Sequence, residues 1–130
     1  MEKKGRQKVT YLALQYIFRD EFHLPNAKII TENLPVTTSA AKLVFKAEFW
    51  DKLNDLDRIN VYVNDVPVFG VEGINLRQSK TQRTEQEIEV PLIPGVNKVQ
   101  VSCLNERGAE SLRQTHEVIR EIGEKVGDLH

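Results

Sequence analysis

Residues Asp57 to Val68 read DRINVYVNDVPV, and the way they alternate decides the fold. Ile59, Val61 and Val63 fall on one face of an extended chain, while Arg58, Asn60 and Tyr62 fall on the other. Asn64 and Asp65 then interrupt the pattern as a tight turn, because their side chains tolerate the backbone that a short hairpin needs. Pro67 follows at once; it cannot donate to a ladder, so the strand that it belongs to suits an edge. A half-buried strand, a tight turn and an edge strand together describe a hairpin in an antiparallel sheet.

The same period of two runs outward in both directions. AKLVFKAEFW (residues 41–50) puts Leu43, Phe45, Ala47 and Phe49 on one face and Lys42, Lys46 and Glu48 on the other. TEQEIEVPL (84–92) separates Ile88, Val90 and Leu92 from Glu87 and Glu89. VNKVQVSCLN (96–105) aligns Val99, Val101 and Cys103 against Lys98, Gln100 and Ser102. AKIITE (27–32) and SLRQTHEVIR (111–120) add two candidates, joined to the rest through IPG (93–95) and NERGAE (105–110). About seven short strands with turn signals between them predict an antiparallel β-sandwich. No helices lie between the strands, as a parallel sheet would need. NLRQSKTQRTEQ (75–86) reads as a long, polar surface loop.

The first residues differ. In RQKVTYLALQYIFRDEF (6–22), Val9, Leu12, Ala13, Tyr16 and Ile17 recur at helical spacing, which predicts an amphipathic helix docked on a protein surface. Pro25 ends it, since the residue before proline is biased out of the helical region. The expected organisation is an N-terminal helical connector over 1–24, an all-β sandwich over 25–121 and a tail or linker over 122–130.

Composition excludes several classes. Lys and Arg number 18 against 19 Asp and Glu, a formal charge of −1, so the chain lacks the basic excess of a nucleic-acid module. A single cysteine makes no internal disulfide. There is no signal-peptide pattern and no apolar run of the ~20 residues that span a bilayer. These features predict a cytoplasmic protein with no membrane and no nucleic-acid partner.

The candidates for chemistry are few. Cys103 with His116, on the next strand, could form the dyad of a small thiol-dependent hydrolase. Against this, the alternation turns Cys103 to the apolar face, where burial raises a thiol pKa and suppresses the thiolate. Asp51, Asn54, Asp55 and Asp57 cluster between two strands, as in a calcium- or glycan-binding sandwich, but without the spacing and glycine of an EF-hand loop. Asp and Asn also favour turns for local reasons. His23, His116 and His130 are scattered, with no zinc spacing. Glu85, Glu87 and Glu89 read as a solvated strand face that guards against edge pairing. The expectation is no catalytic residue, no metal and no cofactor, with the outward aromatics Trp50 and Tyr62 as the interaction surface.

LDRINVYVNDVPVFGVEGINLR (56–77) and EVPLIPGVNKVQVSCLNERGAESLRQTHEV (89–118), with FRDEFHLPNAKII (18–30) upstream, resemble a β-sandwich module of large bacterial proteins. Those proteins carry WD-repeat β-propellers and a caspase-like (clan CD) cysteine peptidase domain. The resemblance implies an immunoglobulin-like, non-catalytic spacer whose partners are the neighbouring propeller or peptidase domain of the same chain, with homo-oligomers as a further possibility. It also implies that the peptidase's own histidine and cysteine belong to a domain after this one, so Cys103 inherits no catalytic role. The chain ends in GDLH (127–130), where the resemblance implies a linker into that domain.

Overall fold

The computed structural model describes residues 24–122, which form a two-sheet β-sandwich. The expected N-terminal helix and nearly all of the expected tail fall outside the described residues, as do His23 and His130. The strands are β1 (Asn26–Ile30), β2 (Thr37–Thr38), β3 (Lys42–Trp50), β4 (Leu56–Val63), β5 (Val66–Pro67), β6 (Ile74–Asn75), β7 (Arg83–Pro91), β8 (Gly95–Asn105) and β9 (Gln114–Arg120). One sheet has the order β1-β3-β7. The other runs β2-β9-β8-β4-β5, with β6 also on β4. The chain therefore changes sheets between β1 and β2, β2 and β3, β3 and β4, β6 and β7, and β7 and β8.

The inward residues read from alternation are buried in the core, and Ile29 and Val118, for which no face was read, join them. Leu43, Phe45, Ala47 and Phe49 of β3, Ile88 and Val90 of β7, and Ile29 of β1 meet Ile59, Val61 and Val63 of β4, Val99, Val101 and Cys103 of β8, and Val118 of β9. Each large aliphatic or aromatic side chain taken fully from water contributes roughly 1.5–3 kcal/mol. That gain offsets the ordering entropy of the strands.

The hairpin at Asn64-Asp65 forms as expected. Both residues have positive φ, 53° and 71°, the signature of a type I′ turn, whose twist matches that of the strands. Asn64 does more than turn the chain. Its Oδ1 accepts from the Lys98 amide at 2.9 Å and its Nδ2 donates to Asn97 Oδ1 at 3.3 Å, which ties the turn to β8. Buried Asn97 in turn bonds both the N–H and the carbonyl of Ile93, closing the β7–β8 turn.

The structure corrects the sequence expectation in three places. The two-residue strands β2 and β6 lie outside the seven strands read from alternation, so the described residues hold nine strands instead of about seven. The polar stretch 75–86 is mostly ordered: a 3₁₀ turn spans Arg77–Ser79, and β7 already begins at Arg83. Asn60 and Ser102, expected on a solvated face, are buried. The chain at Gly73 lies so close to β4 that a Cβ there would come within 2.1 Å of the Ile59 carbonyl oxygen and 3.0 Å of Asn60 Oδ1. Ser102 donates to Glu110 at 2.7 Å. A β-bulge at Asp57, between the pairs Leu56↔Asn105 and Arg58↔Leu104, lets both Leu56 and Ile59 face inward.

Candidate functional site

Cys103 lies near the C-terminal end of β8, fully buried, and its thiol donates to the Asn26 carbonyl at 3.4 Å. Burial pushes its pKa up to about 12 against the help of a nearby Ser111 hydroxyl, so at neutral pH it holds its proton. His116 does not reach it. The histidine pairs with Val99, four residues along β8 from Cys103, a separation of roughly 13 Å by strand geometry. Its Nε2 lies 3.0 Å from the Pro35 carbonyl. The two residues of the conceivable dyad are thus held in different parts of the sandwich by different backbone carbonyls.

The acidic connection between β3 and β4 is also committed to structure. Asp51 is only 2% exposed. Its Oδ1 accepts from the amides of Leu53 and Asn54, each at 2.9 Å, and its Oδ2 accepts from Asn105 Nδ2 at 2.9 Å. Asn105 in turn accepts the amides of Arg107 and Ala109, which shapes the β8–β9 turn. One buried carboxylate therefore links two connections 54 residues apart in the chain. Asp57 is paired with Arg77 at 2.7 Å, and the Asp55 amide donates to Glu106. Among the described residues no three acidic, histidine or cysteine side chains gather in a way that could hold a metal ion.

Trp50 and Tyr62, the expected contact residues, are half-buried and lie on opposite outer faces. Trp50 ends β3 in the three-stranded sheet, under the Arg83 guanidinium at 5.3 Å from the ring centroid. Tyr62 lies on β4 in the other sheet, with the Arg113 guanidinium 3.9 Å above its ring. The structure does not join them in one patch. Each is an aromatic platform capped by an arginine, an arrangement worth about 0.5–1 kcal/mol at an exposed site. The register that sets Arg83 beside Trp50 has no signal in the sequence, and Arg113 comes from a connection that leaves no alternation to read.

The edges and surface complete the picture. Glu85, Glu87 and Glu89 are exposed along β7, the edge of the three-stranded sheet, where like charges discourage strand addition. Two depressions, one beside Leu24 and Leu112 and one beside Leu34 and Val44, have volumes of about 150 and 180 Å³. Small-molecule sites usually occupy about 300–1,000 Å³. No helix among the described residues is long and apolar enough to cross a membrane.

No protein-family model matches the sequence, and no curated protein matches it. Among solved structures, the chain is similar to one described as "Structures of Clostridium thermocellum CbhA fibronectin(III)-like modules". The two share 14% identity at a TM-score of 0.57, over 76% of this chain and 47% of the other. The likeness shows the fold: a sandwich of the fibronectin(III)-like kind.

Proposed function

We propose that this chain is a non-catalytic sandwich module that spaces and docks the neighbouring domains of a longer bacterial protein. The observation that carries the reading is where the chain enters and leaves. β1 begins at Asn26, opposite Trp50 at the end of β3, while β9 finishes at Arg120, opposite Gly95 at the start of β8. Trp50 and Gly95 mark opposite ends of the sandwich, since β3 runs from its Lys42↔Pro91 pair to Trp50. Nine residues of β3 at ~3.4 Å each separate the ends by roughly 30 Å. Domains joined at the two ends are held apart by that length, whereas ends on the same side would bring them together.

The CbhA modules offer the same fold in a protein built of modules. The sequence resemblance supports a propeller before the sandwich and a caspase-like peptidase after it. The arginine-capped platforms at Trp50 and Tyr62, on opposite faces, give such neighbours two separate places to touch.

The test is replacement in the full-length protein. An unrelated sandwich of equal span should preserve the activity of the flanking domains, and a flexible linker of equal residue count should impair it. Equal performance of the two replacements would refute the spacer.

A further inference from the structure

The depression beside Leu24 lies where the chain enters the sandwich, and its walls are fixed. Leu24–Ala27 form one wall and Ser111, Leu112 and Gln114 the other, with no ionisable side chain among them. Cys103 ties the walls together. Its thiol donates to the Asn26 carbonyl, its amide donates to Ser111 Oγ, and its carbonyl accepts the Ser111 amide at 2.8 Å. The charged residues that flank the walls are engaged elsewhere: Glu110 accepts from Ser102, the Arg113 guanidinium lies over Tyr62, and Lys28 stands opposite Glu48 in the sheet register. The walls nonetheless leave apolar surface in water, since Leu24 is 39% and Leu112 75% exposed.

Size and connectivity narrow the occupant. The depression measures about 150 Å³, the size of a cavity that accepts one benzene ring and half of what small-molecule sites usually start from. Seven residues line it, far short of the roughly 20–30 that each freely associating protein contributes. A side chain tethered at the rim needs no such area, because a short link holds it at an effective concentration of about a millimolar.

The chain itself carries such a side chain. Residues 1–23 precede Leu24, and besides the stripe from Val9 to Ile17 they hold a second apolar row at helical spacing: Tyr11, Leu14, Phe18 and Phe22. At about 100° per residue this row falls opposite the first, and a segment with two apolar rows has two surfaces to cover. Phe22 closes the row two residues before Leu24, so the two Cα atoms are at most ~7 Å apart. Its ring is within reach of the depression.

We propose that the segment 6–22 packs back onto the sandwich, with the Phe22 ring seated in the depression between Leu24 and Leu112. The contact needs no other domain and does not depend on the spacer reading.

Nuclear Overhauser contacts in the 130-residue chain test it: the Phe22 ring protons should meet the Leu112 methyls, which are remote in sequence. Phe22→Asp and Leu112→Asp should each lower the melting temperature by about 5 °C. The double variant should fall no further than the larger single loss, because either change empties the depression. Ile93→Asp, 56% exposed at the opposite end of the sandwich, should stay within about 2 °C of the parent. Absence of contacts between Phe22 and Leu112 overturns the proposal, as do additive losses or an equal fall for Ile93→Asp. Contacts seen only between labelled and unlabelled copies in a mixed sample overturn it too, since the occupant is then a second copy.

Discussion

Replacing Asp51 with alanine should cost the module about 3 kcal/mol, although the residue lies in a connection and not in a strand. The carboxylate is 2% exposed and accepts three hydrogen bonds. Of the three donors, the Leu53 amide is only partly buried and can turn to water once the carboxylate is gone. The Asn54 amide and Asn105 Nδ2 bonds are buried, and each donor left unsatisfied costs about 1–3 kcal/mol. Over a folded unit of about 100 residues, unfolding entropy near 0.2 kcal/mol/K turns 3 kcal/mol into a fall of ~15 °C in melting temperature. Urea unfolding followed through Trp50 fluorescence measures the loss directly. The midpoint should drop with the m-value unchanged, since the exposed surface is the same. Asn105→Ala alone should cost at least as much, because it also strands the Arg107 and Ala109 amides. The double variant should lose less than the sum of the two. A loss below 1 kcal/mol for Asp51→Ala, or strict additivity with Asn105→Ala, would refute the staple and reopen the loop as a ligand site.

Millimolar calcium should leave the melting temperature unchanged, because both oxygens of Asp51 and Oδ1 of Asp57 already accept from protein donors; a rise would show binding. Gly73→Ala should destabilise by several kcal/mol, since the new Cβ meets the Ile59 carbonyl at 2.1 Å and the residue has φ of +64°. Gly108→Ala, with positive φ but open space around it, should cost only about 1 kcal/mol, and similar losses at the two positions would contradict the packing described. Native Cys103 should react with an alkylating agent far more slowly than free cysteine at pH 8, at a rate that rises with urea as the protein opens. Its folded pKa, about 12, lies above the unfolded value near 8.5, so its contribution to stability is complete below pH ~8.5. Between there and about 12 the unfolded state binds fewer protons, and stability falls by up to ~1.4 kcal/mol per pH unit. Cys103→Ala should flatten that alkaline slope, and an unchanged slope would place its cause elsewhere.

The strands that could be read from the sequence are those with one wet and one dry face. In β3, β7 and β8 the alternation of Lys or Glu with Leu, Ile, Val and Phe sets the inward residues without reference to any other part of the chain. Asn64-Asp65 was readable for a similar reason, since the turn chemistry is contained in two residues. What could not be read depends on partners remote in sequence. Asn60 and Ser102 have the composition of a solvated face and are buried only because the chain at Gly73 closes on β4 and Glu110 reaches Ser102. Asp51 looks like any aspartate of an acidic loop until Asn105 is placed beside it. Trp50 and Tyr62 share a pattern in the sequence, but the crossing from β3 to β4 puts them on opposite sides of the molecule. Cys103 could be assigned to the apolar face from alternation, whereas the Asn26 carbonyl that its thiol meets could not be foreseen.

The placement of the two chain ends also fixes how the molecule carries a mechanical load. Tension applied before Asn26 and after Arg120 draws β1 and β9 along their own axes, in opposite directions. β1 is held to β3 over five register pairs, and β2 is held to β9 in parallel through the Ile119 amide to Val36 and the Glu121 amide to Thr38. In both places the force runs along the strands while the hydrogen bonds lie across them, so each set is sheared together and cannot be peeled open one bond at a time. Resistance to such a pull is a matter of unfolding rate, not of equilibrium stability. β2, one of three two-residue strands among the described residues, therefore shares with the long β8–β9 ladder the load that a stretched chain places on β9.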